Sequence, residues 1–229
     1  MFKHYIFTRW NLQDDKIDIY NNPLIPDPEE WMEHRMKLFD EITLPSVMMQ
    51  TCRDFTWLLS FSPATPIKIL RKYSEFPNVH IIYEYPRTYL RKMLANRKEW
   101  IITSRLDNDD MIAPEYVEKV QGQFDEKFLL VDTDGVQLDL ATGKTYTPDR
   151  KGNNSPFISL IEYTGVSWMS ISRDPDERRL ITEPVKTCYW CSHSKMEWHF
   201  PSVKIPQRLY KMVIHDRNVT NHITGNEIL

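Results

Sequence analysis

Trp100-Ile101-Ile102-Thr103-Ser104-Arg105-Leu106-Asp107-Asn108-Asp109-Asp110 joins a short β-type run to an acidic cluster near the middle of the chain. The first five residues read as a strand, and Pro114 to Phe124, behind the cluster, as a helix. The same alternation repeats outward from here. Upstream, His4 to Thr8 is a strand, and Asp27-Pro28-Glu29-Glu30 starts a helix with Asp as N-cap and Pro at the first helical position. Trp31, Arg35, Leu38, Phe39 and Ile42 follow at helical spacing, and a second short helix follows Leu44-Pro45. Phe55 to Phe61 is a near-continuous apolar run, as expected of a strand covered on both faces. Thr65-Pro66 opens a helix through Tyr73, Val79 to Tyr83 is a strand, Tyr89 to Arg97 is helical, and Phe128 to Val131 closes the series. Strand–helix alternation predicts an α/β fold with a mixed, mainly parallel sheet flanked by helices.

After about Asp132 the pattern becomes irregular. Short strands are expected at Val136–Leu140, Val166–Ser170 and Lys186–Trp190, with a helix near Pro156–Tyr163. The stretch Arg208 to Asn221 is polar with an apolar patch at Leu209–Ile214. No repeat or linker divides the 229 residues, which predicts one domain over 1–229.

Charge and glycine usage narrow the function. Lys+Arg 29 against Asp+Glu 32 gives a net charge of −3, which lacks the basic excess of a nucleic-acid or membrane-surface protein. The six glycines (Gly122, Gly135, Gly143, Gly152, Gly165, Gly225) are scattered, so neither a dinucleotide fingerprint nor a P-loop is present. Cys52, Cys188 and Cys191 cannot all pair within one chain, which points to a reducing compartment. The N-terminus does not read as a signal peptide, and no apolar run approaches the ~20 residues of a membrane span. The expectation is a cytoplasmic protein without a transmembrane segment.

In a parallel α/β sheet, ligands bind beyond the carboxyl ends of the strands, where Asp107, Asp109 and Asp110 fall. Three carboxylates within four residues repel one another unless a positive charge sits among them. Short Asp arms on a loop suit a hard cation such as Mg²⁺ or Mn²⁺, which could bridge a nucleotide diphosphate without a glycine cradle. The plainer alternative is a polar turn, one Asp of which helps to cap the helix at Pro114.

These residues resemble a known family. An apolar strand followed by Leu106-Asp107-Asn108-Asp109-Asp110 looks like the Asp-x-Asp motif of GT-A glycosyltransferases. Thr8-Arg9-Trp10-Asn11, Arg35 to Phe39, Leu44-Pro45-Ser46, Gln50-Thr51, Phe55-Thr56-Trp57-Leu58, Thr65-Pro66, Ser155 to Glu162, His193 and Val213 to Asn221 then follow in an order similar to the rhamnosyltransferase family, itself a GT-A-like group. The most specific pieces are Arg105 to Asp110 and the closing His215-x-x-Asn218-x-x-Asn221. Two positions depart from the pattern: Ser60-Phe61-Ser62 stands where an Asp is expected, and Asp216 where a Gly is expected.

The resemblance implies transfer of a sugar, rhamnose by the family name, from a UDP- or dTDP-sugar to a hydroxyl on a glycan, lipid-linked or other acceptor. Residues 1–132 would form the nucleotide-sugar-binding half and residues 133–229 the acceptor half. A divalent cation, Mn²⁺ or Mg²⁺, would stabilise the leaving diphosphate. Asp107, Asp109 and Asp110 are the expected metal ligands, with His215 as a late ligand to metal or phosphate. Thr8, Arg9, Asn11, Arg105, Asp107 and Asn218 are the expected donor contacts. An inverting transfer needs a general base, for which Glu162 fits best, with His193 and Asp134 as alternatives.

Two further signals compete. Cys188, Cys191, His193 and His199 offer four soft ligands for zinc, although their spacing is too close for a usual finger and buried free cysteines are the commoner outcome. Arg87, Arg91, Lys92, Arg97 and Lys98 lie opposite an apolar face and read as a solvated surface, or as a contact to an anionic acceptor. Alternative functions are a nucleotidyltransferase that makes the nucleotide-sugar, which should carry a Gly-rich, Lys-containing loop, and a non-catalytic carbohydrate- or partner-binding module.

Overall fold

The structure is a computed structural model that describes residues 1–12, 14, 16–150, 154–171, 178–218 and 222–228. Along the chain run β1 (Phe2–Arg9), α1 (Pro28–Leu38), a π-helical turn (Phe39–Thr43), α2 (Leu44–Met48), β2 (Thr56–Ser60), α3 (Ile67–Ser74), β3 (Val79–Ile82), α4 (Pro86–Leu94), β4 (Trp100–Arg105), β5 (Met111–Ile112) and α5 (Tyr116–Gln121). The second half is strand-rich: β6 (Leu129–Asp139), β7 (Thr145–Thr147), β8 (Ser159–Tyr163), β9 (Trp168–Met169), β10 (Leu180–Ile181), a 3₁₀ segment (His193–Trp198), β11 (Ser202–Ile214) and β12 (Asn226–Glu227).

The main sheet has the order β12-β7-β6-β8-β4-β1-β2-β3, with β11 beside β6 and β5 beside β11. β3, β2, β1 and β4 are parallel, β8 runs antiparallel between β4 and β6, and β11 is parallel to β6. This is the expected mixed sheet flanked by helices. Its strands are apolar on both faces because both are covered. Ile6, Trp57, Leu59, Ile102 and Val131 join a core with Trp10, Phe39, Phe61, Tyr73 and Tyr116; the alternate residues Phe7, Leu58, Ile101 and Leu130 join Leu90, Tyr189 and Phe200 on the other side.

Asp27 caps α1 as its sequence predicts, accepting the Glu29 and Glu30 amides at 3.1 and 2.9 Å. The helix then widens into the π turn just before Pro45. Proline donates no amide hydrogen bond and its ring crowds the preceding turn, which a wider register accommodates.

Several sequence expectations are corrected. Residues Pro156–Tyr163 form no helix but lead into β8, where Phe157 and Ile161 face one core and Ile158 and Leu160 the other. A short run buried on both faces has no periodicity to separate helix from strand. Lys186–Trp190 is a buried turn rather than a strand. Phe128–Val131 and Val136–Leu140 merge into β6. Gly135 does not break that strand but lets β11 approach, since a Cβ there would meet the Tyr210 carbonyl at 2.5 Å. α4 starts at Pro86 and ends at Leu94 rather than spanning Tyr89–Arg97. The first part of the polar C-terminal stretch, up to Ile214, belongs to the long strand β11, whose register shifts just beyond Pro206. No helix among the described residues is long and apolar enough to cross a membrane.

Candidate functional site

β1 and β4 are adjacent and parallel, so the residues after each meet at one edge of the sheet. There a cavity of about 270 Å³ is lined by Arg9, Asn11, Arg35, Asp107 and Asp109, with Trp10 and Trp31 as apolar wall. Its polar groups come from the end of β1 and the segment that follows it, from α1, from the acidic loop and from Asn218 beyond β11. β5 pairs with β11, and Asp110 accepts the Val213 amide at 2.7 Å, so the loop is tied to the far strand.

The three aspartates meet three environments. Asp107 is bridged by Arg105 (2.8 Å) and approached by Arg9 (3.7 Å). Burial alone would raise its pKa, but Arg105 and then Arg9 more than offset this and hold the carboxyl well below the usual carboxylate range. Both arginines also lie over the Tyr189 ring, at 5.4 and 5.5 Å from its centroid. Asp109 is almost fully buried, and its Oδ2 accepts from Arg35, from His215 Nε2 (3.1 Å) and from Asn218 Nδ2 (3.5 Å). Asp110 is also buried, its carboxylate on the Val213 amide. Burial, with Asp109 and Asp107 alongside, pushes its carboxyl well above the usual range.

The other expected donor residues divide. Arg9, Asn11 and Asn218 line the cavity, whereas Thr8 is fully buried below it and accepts the Trp57 indole N–H at 2.9 Å. Asn11 links the end of β1 to Thr65 and to the Ser62 amide. Ser62, standing where a carboxylate was expected, donates to Asp18 at 2.5 Å, and Asp18 lines the cavity. A carboxylate is thus delivered from a different loop. Asn221 lies outside the described residues.

A second cavity of about 250 Å³ is lined by Gln137, Arg150, Asn154, His193, Tyr210 and His222, among others. Arg150 bridges Asp132 (3.2 Å) and Asp134 (2.7 Å) and donates to the Tyr210 hydroxyl (3.1 Å). His193 is near enough to feel Arg105, Asp107 and Asp132; burial, then Arg105, lower its pKa from 6.5. It is therefore neutral at neutral pH. Glu162 is not in either cavity. It is wholly buried in β8, opposite Ile101, and accepts the Lys186 and Thr187 amides at 2.8 and 2.6 Å. With both oxygens so occupied, it anchors the turn that carries Tyr189 and does not meet a substrate hydroxyl.

A divalent cation needs several oxygens converging on one point. Among the described residues, the one trio whose ligand atoms lie within 4.8 Å of one another is His34, His215 and Asp216, which contains none of the three clustered aspartates. The Arg217 amide donates to His215 Nδ1 at 3.2 Å, so the ring proton sits on Nε2 and points at Asp109. His215 Nε2 thus offers Asp109 a proton and no lone pair for a metal, and Arg35 already neutralises Asp109. As arranged, the expected set Asp107, Asp109, Asp110 and His215 does not suit a divalent cation. Zinc fares no better: Cys188 and Cys191, with thiols raised by burial to about 12 and about 11, form no ligand group with His193 and His199. The basic run is only partly a solvated face, because Arg87 and Arg91 reach Glu183 and the Trp190 and Val185 carbonyls.

A cavity residue missed in sequence as a candidate site residue is Arg35. Its signal was a charged residue on the apolar face defined by Trp31, Leu38, Phe39 and Ile42. Such a residue is buried only when paired, and Arg35 is 7% exposed.

Residues 27–227 match the family described as "Putative rhamnosyl transferase". The chain belongs to this rhamnosyl transferase family. No curated protein matches it. Among solved structures it is similar to Staphylococcus aureus TarS residues 1–349 in complex with UDP-GlcNAc, at 11% identity and a TM-score of 0.48 over 97% of this chain and 62% of that one. The same protein in complex with UDP gives 11% identity and 0.46, over 93% of this chain and 60% of TarS. HddC from Yersinia pseudotuberculosis gives 12% and 0.36, over 92% of both chains. The chain thus spans less than two thirds of the TarS fragment.

Proposed function

We propose that this protein is a glycosyltransferase that moves a sugar, rhamnose by family membership, from a nucleotide-diphosphate donor to an acceptor hydroxyl. The observation that carries the reading is the first cavity. It sits at the carboxyl ends of parallel strands and is lined by arginines together with two tryptophans, which suits a phosphate-bearing ligand with a flat or apolar part. UDP- and dTDP-sugars are the donors to test first.

Transfer requires the acceptor oxygen to form a bond to the sugar's anomeric carbon while the bond to the diphosphate breaks and its electron pair leaves with the phosphate. Arg105 and Arg9 lie where that growing charge can be met by fixed guanidinium groups. His193, neutral and lining the second cavity, is the proposed base for the acceptor's proton. Asp134 is engaged by Arg150 and is better placed to hold the cavity wall. The second cavity is the proposed acceptor site.

The test is turnover of UDP- and dTDP-sugars, rhamnosyl donors first, with glycan and lipid-linked acceptors, read as release of the nucleoside diphosphate. Release that disappears in His193→Ala supports the assignment. If no donor is consumed with any acceptor, the reading fails.

A further inference from the structure

The first cavity holds more positive charge than its acidic sequence suggests. Arg9 and Arg35 line it and Arg105 bridges Asp107 at its wall; the Asp110 carboxylate is turned away onto the Val213 amide, and Asp18, which also lines the cavity, is held by the Ser62 hydroxyl and the Tyr20 and Asn21 amides. Each carboxylate also has a partner from the chain itself, and the ring proton of His215 occupies the direction in which a metal would need a lone pair.

We propose that a nucleoside diphosphate is held here without a divalent cation, its charge met by Arg9, Arg35 and Arg105, with Arg35 standing at Asp109 where a cation would otherwise sit. This rests on the donor-site reading above. The geometry allows Arg35 to turn from Asp109 to a phosphate, because His215 Nε2–H and Asn218 Nδ2–H continue to satisfy the carboxylate. Asn108 Oδ1, 3.2 Å from Arg35 Nη1, steadies the guanidinium at the cavity wall, and the Trp31 ring lies 5.3 Å beneath it. A divalent ion would have to displace Arg35 and the Arg217 amide contact together.

Calorimetric titration of UDP and dTDP into the full chain, in EDTA and in Mn²⁺, tests this directly. The expected result is an affinity that agrees within about threefold in the two buffers. Arg35→Met is expected to weaken binding in EDTA by about tenfold or more, and Mn²⁺ should restore part of the loss because Asp109 is then uncovered. Arg35→Lys keeps the charge, guards against misfolding of the first variant, and should retain metal-free binding. Electron paramagnetic resonance of Mn²⁺ alone should show no stoichiometric uptake by the wild type. Nucleotide binding by the wild type that appears only with Mn²⁺, or tight Mn²⁺ uptake without nucleotide, overturns the inference and leaves the donor site standing. No binding of either nucleotide in either buffer removes the donor-site reading and this inference with it.

Discussion

Two arginine–carboxylate clusters border the cavities of this fold, and they are built differently. In the first, three arginines approach Asp107 and Asp109, with Asp18 in the lining from another loop, and aromatic rings lie under the guanidiniums. In the second, the single Arg150 spans both Asp132 and Asp134. The first cluster can offer three guanidiniums to an anion, whereas the one guanidinium of the second is spent on its own wall and favours an uncharged ligand. The difference teaches that a chain of net charge −3 can still gather three arginines at one site. Net charge describes solubility and partners at long range, and the local sign is set by which residues the fold brings together.

The largest expected effect lies at the meeting of the two clusters. His193→Ala should lower kcat by roughly 10²- to 10⁴-fold, with the donor KM little changed, as for removal of a general base. A base acts in its neutral form, and the pKa of His193 is lowered, so the acid limb of kcat should have its midpoint below pH 6.5. If that acid limb persists in His193→Ala, the proton goes elsewhere and the second cavity loses its claim on the acceptor.

Next is Arg105→Met, which removes a charge-assisted contact worth about 1.5–3 kcal/mol. It should weaken UDP or dTDP by roughly 10- to 100-fold in calorimetric titration. Arg150→Met should instead spare nucleotide binding and cost stability, because Asp132 is left buried without its cation. Removing one partner of a buried pair costs about 3–5 kcal/mol, and the low end applies because Asp134 is a third exposed. For a chain of this size that is a fall in Tm of roughly 6–12 °C. Equal losses of nucleotide affinity in the two variants would erase the distinction between the clusters.

How much of this was legible in the sequence follows from distance along the chain. The parallel half of the sheet and the capped α1 were readable because their signals are local: period, N-cap and Pro at the first turn. The acidic cluster was readable for the same reason, since Asp107, Asp109 and Asp110 are neighbours. Their partners were not. Arg35 reaches Asp109 across 74 residues, and Val213 reaches Asp110 across 103, so a cluster that reads as bare carboxylates awaiting a cation is already satisfied by the fold. β8 was hidden because an apolar run buried on both faces has no period, and β6 because Gly135 marks a close approach inside a strand rather than its end.

The smallest effect sharpens the comparison most finely. Asp18 lines the first cavity, but its carboxylate is held by the Ser62 hydroxyl and the Tyr20 and Asn21 amides. It adds negative charge to a site otherwise disposed toward anions. If it accepts a hydrogen bond from the nucleoside, Asp18→Asn should weaken UDP by about fivefold, near 1 kcal/mol, through loss of that bond. The same variant should bind inorganic pyrophosphate slightly more tightly, by up to about threefold, because one repulsive charge has gone. Opposite signs for the two ligands would divide the cavity into a phosphate end governed by the arginines and a nucleoside end governed by Asp18. Gains for both ligands would make Asp18 a loop cap alone and leave the number of arginines as the whole difference between the two clusters.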